Sequence, residues 1–356
     1  MRNLTLALGW TTFHLRVTND ACRAMAPVER FFRDAVHEGE PLAPDFVVEV
    51  DVWDAARAGR AQSEGEHIVM RRSSAAPFNF DVWRSIDGDR RVYANEHTVL
   101  DVPARCTGDG AILRIFVSEG SCCQVVDNLR DLAWRHEEHR GRVVLHAAAV
   151  CRDGRAVVVA GAKGAGKTTT MLAALRDKRW SYFSGDKVVA VPTDERILTA
   201  PWPDWPYVGV GTLRTEPRLA EWARAVDAGF DHRAPTEKLL LDPVDFSALY
   251  ATAPLSARLP LGAMVLPRVA PGQGLSVRRV TDSAEKEAHL LGIVDRTSDA
   301  TFFASQLHLV PSYARMYETV DRIRPLLADV EVVEVAGDVD RFDIDAIAAR
   351  ASEAAW

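Results

Sequence analysis

Cysteine is scarce in this chain of 356 residues: there are five, and none is spaced as C-x-x-C. An odd number that includes the adjacent pair Cys122 and Cys123 fits neither a disulfide framework nor a zinc site, so reduced thiols in a cytoplasmic protein are the expectation. Long apolar runs are also missing. No stretch approaches the ~20 apolar residues of a membrane span. The mildly apolar start from Met1 to Trp10 turns polar from Thr11 to Arg16, too soon for a signal peptide, and reads as a first strand. No four consecutive Lys or Arg occur, and the net charge is −7. Attraction to nucleic acid or to an anionic membrane surface is therefore not expected. Internal repeats and low-complexity tracts are absent.

What remains is an ordinary globular composition, 47% hydrophobic, in a chain too long for one domain of about 100–200 residues. Residues 1–122 read as a smaller α+β domain. Phe46 to Val52, Arg91 to Ala94 and Ile112 to Val117 look like strands, with turns at Asp87-Gly88-Asp89 and Gly108-Asp109-Gly110. From Cys123 to His139 the apolar residues take helical spacing, which opens a second domain over 123–356. A strand follows at Val143 to Val150, then a turn at Arg152 to Arg155. Ala156 to Ala160 is an uninterrupted apolar run, suited to a strand covered on both faces. A helix is predicted from Thr168 to about Asp177, a strand from Ser181 to Val191, a helix over 216–228 and a strand around Val265. Helices at Glu285 to Ile293 and Ser312 to Leu327, a strand at Glu331 to Val335 and a closing helix at Ile344 to Ala354 complete the pattern.

The chemistry is concentrated after the apolar run. Gly161-Ala162-Lys163-Gly164-Ala165-Gly166-Lys167-Thr168 matches G-x-x-x-x-G-K-[ST] in full, between a strand and a helix. Glycines let the backbone wrap phosphate oxygens, successive N–H groups form an anion nest, and the helix start adds its positive dipole end. Lys167 is expected to reach the β- and γ-phosphates of ATP, and the Thr168 hydroxyl to ligate Mg²⁺. Thr169 completes the expected nucleotide-contacting stretch. Asp186 lies one helix and one turn later. A carboxylate there suits Mg²⁺ contact or acceptance of a proton from a substrate hydroxyl. His146, on the preceding strand, reads on pattern alone as a core histidine. Lys238 offers a further cation. Trp202 and Trp205 lie in a proline-flanked loop and read as packing residues.

Leu145-His146-Ala147-Ala148-Ala149-Val150, the glycine loop and Phe183-Ser184-Gly185-Asp186-Lys187-Val188 together resemble the kinase domain of HPr kinase/phosphorylase and its wider group. The resemblance covers about residues 123–330. It implies an α/β P-loop kinase domain of the HPr kinase / PEP carboxykinase type. It also implies use of ATP and Mg²⁺ to phosphorylate a hydroxyl of a peptide, protein or small molecule, and association into homo-oligomers. His146 becomes an active-site candidate beside Asp186 and Lys167. Two departures stand out. The family's first aspartate is replaced here by Gly185, and its arginine-bearing loop has no match, so the reverse reaction is not expected. Two other functions fit the motif: a nucleotide-binding regulatory module with little phosphotransfer, and a small-molecule kinase of another P-loop class.

Overall fold

The computed structural model describes residues 1–71, 78–103, 111–270, 272–295 and 313–338. It is a mixed α/β structure with two nine-stranded sheets, in two compact units that, among the described residues, comprise 1–141 with 313–316 and 142–295 with 317–338. The expected turn at 108–110 and the closing helix at 344–354 lie outside the described residues.

The first unit begins with strands β1 (Arg2–Leu8), β2 (Thr11–Val17), β3 (Val36–Glu38) and β4 (Phe46–Val52). Helix α1 (Cys22–Phe32) lies between β2 and β3, and α2 (Ala55–Glu64) follows β4. Strands β5 (Glu66–Arg71), β6 (Phe80–Asp87), β7 (Arg90–Ala94), β8 (Thr98–Pro103) and β9 (Ala111–Val117) complete the sheet, in the order β3-β1-β2-β4-β9-β8-β7-β6-β5. Thr11 to Arg16 is thus part of a strand, not merely the polar end of the first one. Phe13, Leu15 and Val17 are buried on one face in the period-two pattern of a pleated strand, and Thr11 and His14 are buried as well.

Helix α3 (Cys122–His139) packs on α1 and β2. The sequence reading grouped it with the later domain. In the structure its buried Glu137 accepts hydrogen bonds from Trp10 N at 2.9 Å and Thr11 Oγ1 at 2.7 Å, partners at the β1–β2 turn. A buried carboxylate needs such donors, because isolation from water costs several kcal/mol.

The second unit opens with an antiparallel pair, β10 (Val143–Arg152) and β11 (Arg155–Ala160). Asp153 and Gly154 turn it with φ of 50° and 72°, the left-handed geometry of tight hairpins. Helix α4 (Lys167–Leu175), β12 (Ser181–Ser184), β13 (Lys187–Pro192) and β14 (Ile197–Pro201) follow. Next come β15 (Tyr207–Gly209), α5 (Val210–Thr215), α6 (Pro217–Val226), β16 (Lys238–Leu240) and α7 (Pro243–Leu249). The chain continues through β17 (Leu259–Val269), β18 (Ser276–Arg279), α8 (Ser283–Ile293), β19 (Val294–Asp295), α9 (Tyr313–Leu326) and β20 (Glu331–Gly337). Strand β11 lies between β10 and a parallel β17. Val157, Val159, Met171, Leu172 and Val265 bury together there, each worth roughly 1.5–3 kcal/mol against exposure. No described helix is long and apolar enough to cross a membrane.

The single strand expected over 181–191 is two strands, β12 and β13, interrupted at Gly185 and Asp186. At the interruption the Asp186 carbonyl accepts from Ala147 N at 2.9 Å. The break thus turns the Asp186 side chain out of the ladder while its backbone stays tied to β10.

Candidate functional site

The glycine loop occupies the turn between β11 and α4. Gly161, Gly164 and Gly166 have φ of 147°, 85° and 100°, a region costly for residues with a Cβ. Gly166 is also the residue before the helix, in left-handed conformation. A Cβ there would run into the Val269 side chain, 2.8 Å from its Cβ. The loop is held against β17 by Val269 N donating to Ala165 O at 3.0 Å.

Lys167 folds back over the loop and donates to Gly161 O at 2.8 Å and Ala162 O at 3.4 Å. Its pKa is lowered, first by burial and further by Lys238, against the opposing pull of Asp186. Lys238 itself stands over the Tyr207 ring, 4.9 Å from its centroid. Thr168 lies half-buried in the first turn of α4. The Thr169 hydroxyl meets that of Thr212 at 3.1 Å, which ties α4 to α5. Lys163 and Ala162 are exposed at the loop tip.

His146 faces Lys187 across the β10–β13 ladder, while its neighbour Ala147 faces Ala160, the last residue of β11. The histidine therefore stands beside the start of the loop, and it is not a core residue, since its side chain is 44% exposed. Its Nδ1 lies 3.8 Å from Asp186 Oδ1 and 3.8 Å from Asp295 Oδ2. Lys187 Nζ is 3.8 Å from Asp186 Oδ2 and bonds directly to Asp295. Burial alone would push the Asp295 carboxyl up, but His146 and the Lys187 ammonium outweigh it and hold the pKa below the ordinary value. The structure thus brings His146 and Asp186 together beside the start of the loop that carries Lys167, and adds Asp295 and Lys187, neither of which the motifs single out. Asp295 belongs to a two-residue strand paired with Val144 and Leu145, and nothing local in its sequence marks it.

Gly185 also acquires a reason. A Cβ on it would lie 2.7 Å from Asp204 Oδ2 and 2.7 Å from the Tyr182 hydroxyl, which itself donates to Asp204 Oδ1 at 2.7 Å. Asp204 comes from the loop of Trp202 and Trp205, pinned by Trp202 N donating to Ser184 Oγ at 3.0 Å. A carboxylate therefore stands at position 185's side even though residue 185 has no side chain. Trp202 is buried, as its packing role requires. Arg233 pairs with Asp227 and Glu237, which places it in a surface ion-pair cluster.

An Asp295→Asn substitution removes the charge that Lys187 and His146 face, at a cost of about 1–3 kcal/mol. The folded carboxyl has a depressed pKa. Its stabilisation is therefore present above the unfolded value near 3.8 and lost as pH falls through the lower folded value. Urea unfolding should show the wild type ahead of the variant at pH 7, with the gap closing on the acid side. A gap independent of pH would remove Asp295 from the ion cluster.

No family model matches the chain, and no curated protein matches it. Among solved structures, the HPr(Ser) kinase/phosphatase from Coxiella burnetii is a slight likeness, with 13% identity and a TM-score of 0.23 over 46% of this chain and 93% of that one.

Proposed function

We propose that this chain is a Mg²⁺-dependent ATP phosphotransferase that passes the γ-phosphoryl group to a hydroxyl of a peptide or small molecule. The observation that supports the reading is a complete phosphate-binding loop with left-handed glycines at the end of β11, beside Asp186, whose carbonyl is tied to Ala147, the residue opposite Ala160 at the start of that loop.

The chain fits the nucleotide on its own features. The positive-φ glycines free backbone N–H groups for phosphate oxygens. Lys167, whose pKa burial lowers, gains most from an anionic partner. Thr168 and Asp186 are the oxygen donors that would hold Mg²⁺, a hard cation that takes such ligands. The ion would supply charge neutralisation on the phosphate oxygens. In the transfer, the acceptor oxygen forms a bond to the γ-phosphorus, the bond to the β–γ bridging oxygen breaks, and ADP leaves. The acceptor's proton passes to the Asp186 carboxylate. His146, 3.8 Å from Asp186 and from Asp295, orients that carboxylate. Most of the acceleration in such a site comes from positioning and fixed charge.

The test is the acceptor dependence of ADP release. Purified chain with Mg-ATP should release ADP at a basal rate with water as acceptor, and faster with hydroxyl-bearing peptides or metabolites. Tight ATP binding without Mg²⁺-dependent ADP release under any acceptor would leave the regulatory-module reading in its place.

A further inference from the structure

The first unit holds a cavity that the nucleotide chemistry does not use. Between α2 and the face of the sheet formed by β6 and β7 is a cavity of about 840 Å³, open on one side. That volume suits a small organic ligand. We propose that it binds an uncharged carbohydrate ring.

The walls are built before any ligand arrives. Trp53 is fixed by its indole Nε1 donating to Asn95 O at 3.3 Å. Trp83 is fixed by pairing opposite Ala94 and by an edge contact with His67, ring centroids 5.1 Å apart. Both rings remain half-exposed in the cavity wall. Flat aromatic faces match the C–H face of a sugar ring, and indole keeps its orientation at low entropic cost.

Two further observations point to a ligand with hydroxyl groups. Gln124 is 3% exposed and lines the cavity. Its Oε1 accepts from Asn95 Nδ2 at 2.8 Å, but among the described residues its own amide donors find only the Met70 sulfur at 3.6 Å. A thioether is a weak acceptor, so a ligand oxygen would improve on it. A ligand hydroxyl is such an oxygen, because it accepts twice as well as donating once.

The second observation is Gly59, mid-helix in α2 and on the cavity lining. A glycine there costs about 0.5–1 kcal/mol against alanine. Neither φ nor crowding requires it, since a Cβ would meet nothing within 4 Å. Gly59 lies at the exposed edge of the lining and adds no side chain there.

The same lining decides against anionic ligands. It contains no Lys or Arg among the described residues, so phosphates and acidic sugars have no counter-charge.

The experiment uses the full chain on an array of neutral oligosaccharides, followed by titration of the intrinsic tryptophan fluorescence with the bound sugar and its free monosaccharide. The two titrations distinguish recognition within a glycan from capture of a free sugar. Binding is expected for at least one neutral sugar. Gly59→Leu, whose added Cβ meets nothing within 4 Å, should weaken it at least about tenfold, while the circular dichroism spectrum and melting temperature stay at the wild-type values and report an intact fold. Trp83→Ala should also abolish binding. The inference is overturned if no neutral sugar binds at millimolar concentration, if Gly59→Leu binds as well as the wild type, or if nucleosides or acidic sugars bind instead. Because the readout is sugar binding, it stands or falls separately from phosphotransfer.

Discussion

Lys167→Ala should strip the chain of most of its affinity for Mg-ATP, by about 10- to 100-fold in Kd, since a charge-assisted contact contributes roughly 1.5–3 kcal/mol. The ammonium already donates to the loop carbonyls of Gly161 and Ala162. It needs only a small swing to exchange one of them for a phosphate oxygen. Burial lowers its pKa, and the nearby Lys238 adds to this. A polyphosphate would supply the missing counter-charge. Lys167→Arg should not restore binding. A planar guanidinium presents its donors in a fixed fork, whereas this lysine reaches two carbonyls from one compact head. Calorimetric titration with Mg-ATP is the measurement. Equal affinity in Lys167→Ala and wild type would remove the loop from nucleotide binding altogether.

That loop was legible in the sequence because every part of it is local. The β11 run, the glycines and the start of α4 follow one another within a dozen or so residues, and each acts through its own backbone. His146 was harder. In a strand of otherwise apolar residues it reads as core, and only the ladder that sets it beside Lys187 and next to the loop shows its exposed position. Asp295 was beyond reach: its partner Lys187 lies 108 positions earlier, and the pairing depends on a two-residue strand with no period of its own. The break at Gly185 and Asp186 was hidden for a related reason. Tyr182 to Val191 carries enough strand-forming residues to read as one strand. The interruption is visible only once Asp204, from a loop some twenty residues on, is seen pressed against Gly185. The assignment of α3 failed on the same ground, since helical spacing reports an apolar face but not which sheet it covers.

Asp186→Asn should be the most damaging single change to turnover, lowering kcat by about 10²–10⁴. Asparagine keeps the shape and removes the charge. In the structure that charge faces His146 and Lys187, each at 3.8 Å, and it also opposes the lowering of the Lys167 pKa. Affinity for ATP without metal should hold or improve slightly, because a carboxylate near the phosphate cradle repels the polyphosphate. The dependence on Mg²⁺ should weaken, because a neutral amide is a poorer ligand for a hard cation than a carboxylate. These responses separate a catalytic residue from a structural one. A merely structural Asp186 would lower stability and ATP affinity together and leave the metal dependence of the remaining activity unchanged. ADP release measured across a magnesium titration, alongside binding in EDTA, tells the two apart. A variant with wild-type kcat would return the search for the essential carboxylate to Asp204 and Asp295, the two acids that the fold brings to the same place from distant parts of the chain.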